Sequence, residues 1–210
     1  MTVVGFAISG GGVGWAWADT EVYYDDQPLP GRVEKLAVSP GGLVGMSTGY
    51  LSLLRQFCVM VAGLERADFS AAVARLPTEL RRARSEWREE LVSVDVEYEP
   101  KTKFALIGAD SAGRIRGAVF TEAREFEPVE REAWSSPFVD RPASNGAGVL
   151  ALAQTQLAFV QAKAPRATGG RLTVAKIGPA GVARTSVPLL LAAERAAVDS
   201  GRRELRSPGR

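Results

Sequence analysis

The stretch TVVGFAISGGGVGWAWAD, residues 2–19, decides how the rest of the chain is read. Two apolar runs, TVVGFAIS and VGWAWAD, flank the glycine turn Gly10-Gly11-Gly12. Apolar runs parted by so short and flexible a break read as a β-hairpin. The other use of such a turn is a phosphate cradle. Gly10 to Gly14 lacks the Lys-Ser/Thr pair that a nucleotide loop needs and leads into a strand-like run, so the hairpin is the better account. The ends of the stretch carry chemistry of their own. Removal of Met1 leaves Thr2 with a free α-amine beside its hydroxyl, a base and a nucleophile on one residue. The far end closes on Asp19.

Outward from this hairpin, a polar excursion leads to VEKLAVS (33–39) and LVGMSTG (43–49), two runs around a Pro40-Gly41-Gly42 turn. They end at Gly49, immediately before a segment in which Leu51, Leu54, Cys58, Val61 and Ala62 recur at helical spacing until Gly63. Here the chain resembles the proteasome β-subunit family and its bacterial ring-protease relatives, including the Anbu group, which also starts Met-Thr. That family works with an N-terminal Thr, an Asp after the second strand, a Lys on the third and a glycine at the end of the fourth. Thr2, Asp19, Lys35 and Gly49 match these positions in order, with one extra residue near the glycine turn.

The chemistry of the set can be argued without the family. A threonine hydroxyl is a poor nucleophile, and an α-amine with a reference pKa of about 8 can be its neutral base near physiological pH. Positive charge from Lys35 would lower the amine's pKa and stabilise the alkoxide, and Asp19 would hold Lys35 charged and oriented. Gly49 would let the backbone approach a developing oxyanion and offer its N–H there. Read singly, Asp19 also fits the start of a turn and Lys35 a solvated strand position.

Composition excludes competing chemistries. The chain has no histidine, so Ser-His-Asp and Cys-His mechanisms and imidazole metal sites are closed to a single chain. The one cysteine, Cys58, lies in the apolar run LLRQFCVMVAG and reads as a core residue, with no partner for a disulfide or zinc. No metal and no cofactor are expected. A hydrophobic content of 46% with 24% charged residues is ordinary for a folded soluble protein. Net charge is +2, and four arginines of the last ten residues, against one glutamate, account for it; no nucleic-acid partner is implied. No apolar stretch reaches the roughly 18 to 20 residues of a transmembrane helix, and no signal peptide is evident. A cytoplasmic location is expected.

Beyond Gly63 a second helix is predicted from Asp68 or Ser70, with Pro77 kinking or dividing it and a densely charged section, TELRRARSEWREEL. KFALIGAD and RIRGAVFTE form a hairpin across Ser111-Ala112-Gly113. EAREFEPVEREAW carries a further edge strand and loop. A third helix runs from Gly146 to Ala164, with Leu150, Ala153, Leu157 and Val160 on one face and Pro165 as its stop. RLTVAKIG and GVARTSV make the last hairpin around Pro179-Ala180-Gly181, and LLLAAERAAV closes the domain as a helix. This order predicts an α+β fold, a four-layer α-β-β-α sandwich of two antiparallel sheets of the N-terminal nucleophile hydrolase type. One domain covers 1–198, followed by a basic tail over 199–210.

The resemblance implies more, and breaks in places. Thr168-Gly169-Gly170 looks like the family's Ser-Gly-Gly before the last hairpin. Ser144-Asn145-Gly146 stands where active members place Gly-Ser-Gly, so Ser144, Asn145 and Thr168 are the auxiliary candidates. Pro165 replaces a customary Asp, and Glu21 a customary Arg. Carried over, a modest apolar specificity pocket falls at Val22, Val33, Ala37, Ser47 and Leu51. The implied activity is self-compartmentalising threonine peptidase, in a ring or spiral of identical subunits acting on peptides or unfolded protein, with an ATP-dependent unfoldase as a candidate partner. The departures keep a second reading open, a catalytically inactive ring or scaffold subunit.

Overall fold

The computed structural model describes residues 2–24, 27–28, 32–65, 67–93, 98, 101–138, 145–163 and 170–189. Ser144, Pro165, Thr168, most of the expected closing helix and the basic tail lie outside them. The opening hairpin is formed by β1 (Val4–Ser9) and β2 (Val13–Asp19), and the excursion after it holds a two-residue ladder, β3 (Tyr23–Tyr24) with β4 (Gln27–Pro28). Then come β5 (Leu36–Val38), β6 (Val44–Thr48), helix α1 (Leu51–Ala62) and helix α2 (Phe69–Ser93). The second half comprises β7 (Lys103–Ala109), β8 (Ile115–Thr121), a 3₁₀ turn (Glu122–Arg124), β9 (Val129–Glu130), β10 (Ala133–Ser136), α3 (Gly146–Lys163), β11 (Arg171–Gly178) and β12 (Gly181–Pro188).

Two five-stranded antiparallel sheets result, ordered β10-β1-β2-β11-β12 and β5-β6-β7-β8-β9. The two-residue period of a strand sorts side chains to opposite faces, and here both faces are buried. Along β1, Val3 and Ala7 pack under α3, whereas Val4 and Phe6 enter the space between the sheets. On β2 the large Trp17 faces α3 while the small Ala16 and Ala18 face the second sheet. The second sheet repeats the pattern: Val44, Met46, Ala105 and Ile107 point inward, and Phe104, Leu106 and Phe120 point toward α1 and α2. The order from outside to outside is therefore α3, first sheet, second sheet, α1 with α2. This is the expected α-β-β-α sandwich.

Two expectations are refined. Pro77 neither divides nor ends α2, which runs from Phe69 to Ser93. Interior proline costs a helix about 3 kcal/mol, and a stripe of Phe69, Ala72, Leu76, Leu80 and Ala83 packed on the second sheet offsets it. The Asp68 carboxylate also accepts from the Ala71 N–H at 2.8 Å, a side-chain cap at the helix start. The acidic stretch after β8 supplies an edge to each sheet, β9 beside β8 and β10 beside β1, so the chain crosses between layers there. On the other side of the molecule, Gln156 is fully buried in the apolar face of α3. It accepts from Trp17 Nε1 at 2.8 Å and donates to the carbonyls of Val4 and Pro137, fastening the helix to β1 and β2.

Candidate active site at the start of the first strand

Asp19 is the last residue of β2 and lies between β1 and β11, with the Ala18–Val4 pair just before it. The ladder continues one step past β1: Asp19 N donates to Val3 O at 2.8 Å, and Val3 N donates to Asp19 Oδ1 at 3.1 Å. The carboxylate thereby takes the place of a backbone acceptor and pins the Thr2–Val3 segment against the sheet. Lys35 reaches the same point from the far end of the excursion. Val33 N donates to Thr20 O at 3.0 Å, which lays residues 33–35 alongside the end of β2. Lys35 stands just before β5, whereas the run VEKLAVS and the family resemblance had placed it on a strand.

The Lys35 ammonium has three acceptors for its three protons. Asp19 Oδ1 lies at 2.9 Å, Thr2 Oγ1 at 3.4 Å, and the main-chain oxygen of Glu21 makes a short contact. Asp19 and Lys35 are each 2% exposed, and Thr2 is half-buried. Burial pushes the Asp19 carboxyl up from its ordinary value, while the charge and hydrogen bond of Lys35 and the Val3 N–H pull it down. The Glu21 carbonyl has no counterpart in the sequence reading, because a backbone oxygen carries no signature in residue type. The Glu21 side chain lies over Gly170, whose φ of 57° and missing Cβ make room for it.

Thr2, Asp19 and Lys35 thus meet. Gly49 closes β6 with φ of 122°, a conformation that favours glycine, and is exposed. Among the described residues its N–H has no backbone acceptor. Helix α1 starts two residues on, at Leu51, and Tyr50 provides no side-chain cap, so the positive end of the helix stays open beside it. The expected pocket residues are distributed along these same segments. Val22, Val33, Ala37 and Leu51 are half-buried, and Ser47 is fully buried. Val33 borders a cleft of about 470 Å³ with Thr20, Arg32, Glu34 and Arg184, where Arg184 pairs with Glu34 at 3.0 Å. Asn145 serves α3: its Oδ1 accepts from Gly148 N at 2.8 Å as an N-cap. Cys58 lies partly buried on α1, with its Sγ 3.9 Å from the Glu34 carbonyl, and burial followed by the Glu34 charge pushes its thiol up to about 11.

Fold and site together define an arrangement: a two-sheet, helix-flanked α-β-β-α sandwich with a threonine at the head of the first strand facing a buried lysine–aspartate pair. Among solved structures, the chain is similar to an Anbu (Gly-1) mutant from Hyphomicrobium sp. strain MC1, with 14% sequence identity and a TM-score of 0.66. The match covers 100% of this chain and 99% of that one. At that identity the likeness carries the fold, and the resemblance read from the sequence stands at that level. No protein-family model and no curated protein matches the chain. Among the described residues no helix is long and apolar enough to cross a membrane.

Proposed function

We propose that this protein is a threonine-type peptide hydrolase of proteasome-like kind, working through Thr2 once Met1 has been removed. One observation carries the reading: Lys35 Nζ, buried, touches both Thr2 Oγ1 and Asp19 Oδ1. Burying an ammonium is costly even when it is paired, and a purely structural sandwich gains nothing by aiming one at a threonine hydroxyl. Lys35 is the donor to that oxygen, so the hydroxyl proton needs another acceptor. The freed Thr2 α-amine fits the role. In the proposed cycle the amine takes the hydroxyl proton as Thr2 Oγ1 attacks the peptide carbonyl. The carbonyl oxygen gains the negative charge and the Gly49 N–H stabilises it. Collapse of the adduct passes the proton to the departing amine and leaves an ester on Thr2, which water then hydrolyses. Identical subunits in a ring or spiral would enclose the site, since heterologous contacts either close or propagate. The setting proposed is the cytoplasm, and the substrate an unfolded or short peptide, delivered where needed by an ATP-dependent unfoldase.

A second reading, an inactive ring or scaffold subunit, has its own support. The Asn145 side chain is committed to capping α3, and Pro165 offers no carboxylate where active relatives of this type have one. Intact mass of the native protein followed by hydrolysis of a broad fluorogenic-peptide panel separates the two. Expected are a mass lacking Met1 and turnover that Thr2→Ser retains in part and Thr2→Ala loses. Met1 retained, or no turnover by processed protein, favours the scaffold. Sedimentation at micromolar concentration is expected to find an oligomer, and monomer alone would remove the ring proposal.

A further inference from the structure

The second sheet ends in a row of three residues from three successive segments: Gly49 after β6, Thr102 before β7 and Glu122 after β8. Register carries the row, since Thr48 pairs with Lys103 and Lys103 with Thr121. Thr102 lies flat against Gly49. A Cβ built on Gly49 would stand 2.7 Å from both Thr102 Cα and Thr102 Oγ1. Whatever fixes Thr102 therefore fixes the α-carbon of Gly49 and, with it, the direction of the Gly49 N–H.

Thr102 is held from the other side. It stands outside the β7 ladder, and its N–H donates to Glu122 Oε2 at 2.7 Å in a bond shut off from solvent. Glu122 is 4% exposed, and Thr102 1%. Among the described residues Glu122 Oε1, Thr102 Oγ1 and Ser47 Oγ are buried without a hydrogen-bond partner. A glutamate placed so is an expensive way to satisfy one N–H, and a buried polar group left half-satisfied calls for a reason. Burial raises its carboxyl above the ordinary value. The Thr102 N–H and the charges of Arg84 and Arg88 from α2 work against that, and Glu125 adds to it.

We infer that Glu122 is a positioning residue for the Gly49 N–H, acting through its hydrogen bond to Thr102 and the packing of Thr102 on Gly49. The inference rests on the reading of Gly49 as an oxyanion donor in a threonine peptidase. A donor displaced by about 1 Å loses on the order of a hundredfold in rate, and this contact chain runs from the 3₁₀ turn after β8 to the Gly49 N–H. The hydrogen bond matters here and the charge does not, so a neutral isostere that still accepts from Thr102 N should serve as well.

The test uses the full, Met1-processed assembly with Glu122→Ala, Glu122→Gln and Thr102→Gly, and two readouts. Turnover of a fluorogenic peptide is expected to fall roughly 10- to 100-fold in kcat for Glu122→Ala and Thr102→Gly, with KM held within about threefold. Inhibition by a peptide aldehyde, whose hemiacetal places an oxyanion at the Gly49 N–H, should weaken to a similar degree. Glu122→Gln should stay within about threefold of wild type in both. Amide exchange over residues 46–54, which does not depend on activity, should quicken in Glu122→Ala and remain as in wild type for Glu122→Gln. Unchanged exchange in Glu122→Ala overturns the inference, as does a loss confined to KM, or a Glu122→Gln protein as impaired as Glu122→Ala. Should Glu122→Ala fail to fold, normal kcat in Thr102→Gly overturns it instead. If wild type hydrolyses nothing, the peptidase reading fails, and the exchange comparison alone decides whether Glu122 sets Gly49.

Discussion

Asp19 and Asp110 both expose little side chain, 2% and 3%, yet their carboxyls are shifted in opposite directions. Asp19 lies deep between the strands of its sheet, and Asp110 just under the surface at a turn. Asp110 opens the β7–β8 turn. Its Oδ1 accepts from the N–H groups of Ala112 and Arg114, both at 3.0 Å, and its Oδ2 from the Arg114 guanidinium at 2.8 and 3.0 Å. Burial alone would raise its pKa, but the Arg114 N–H, the Arg114 side chain and the Ala112 N–H outweigh it, and the carboxyl sits below its ordinary value. Asp19 has one N–H and one ammonium, and burial wins. The lesson is one of purpose. Asp110 is solvated by its own turn and holds a hairpin together. Asp19 is left short of donors, and most of what it does is hold Lys35 against Thr2.

Loss of activity is the sharpest way to break this contrast. Lys35→Ala is expected to cut peptide turnover by at least about a thousandfold, as Thr2→Ala does, and the double variant should be no worse than either, because residues acting as one unit are not additive. Asp110→Ala should leave turnover within about twofold. Equal losses at the two aspartates in a fluorogenic assay would erase the distinction.

Stability sharpens it next. Lys35→Met alone strands a buried carboxylate and should cost about 3–5 kcal/mol, whereas Asp19→Asn with Lys35→Met removes both charges and keeps an acceptor for the Val3 N–H. Thermal melts of the double variant are expected at or above the wild-type midpoint, with no turnover. A double variant as unstable as the single one would mean that the pair is kept for the fold.

The pH dependences should run in opposite directions. Asp110, depressed in the fold, contributes stability that is present above its unfolded value, near 3.8, and is lost as pH falls through the lower folded value. The melting difference between wild type and Asp110→Ala should therefore be full at pH 7 and vanish in strong acid. Asp19 is raised, so its ionisation opposes folding: its contribution is fully present below about 3.8 and lost as pH rises through the folded value. The melting difference between wild type and Asp19→Asn should therefore close below about pH 3.8 and open as pH rises, and a difference confined to acid would contradict this.

The smallest effect concerns Cys58, on the α1 face toward Glu34. With its thiol pushed up to about 11, it should react with iodoacetamide at pH 7.5 much more slowly than a free cysteine, and Cys58→Ala should keep turnover within about twofold. Rapid alkylation that stops hydrolysis would assign the chemistry to the wrong residue.

What was legible in the sequence followed from local chemistry. Residues 2–19 read as a hairpin because two apolar runs meet at three glycines, and β7–β8 because Ser111-Ala112-Gly113 interrupts two more. The partners of Asp110 lie within four residues of it, so any fold that forms that turn forms its network. Helices α1 and α3 announced themselves by the spacing of their apolar residues. The order of the elements then allowed few packings other than a two-sheet sandwich.

What only the tertiary structure decided are relations across long stretches of chain. Val3 and Lys35 each lie 16 residues from Asp19, and only the sheet and the returning excursion bring them to one carboxylate. The Glu21 carbonyl, the buried amide of Gln156 and the row from Gly49 through Thr102 to Glu122 were invisible for the same reason. A backbone oxygen has no residue code, and a glutamine or glutamate on a helix or turn reads as a solvent-facing residue until its neighbours are known. Pro77 makes the converse case: a local rule predicts a break, and packing against the second sheet holds the helix through it.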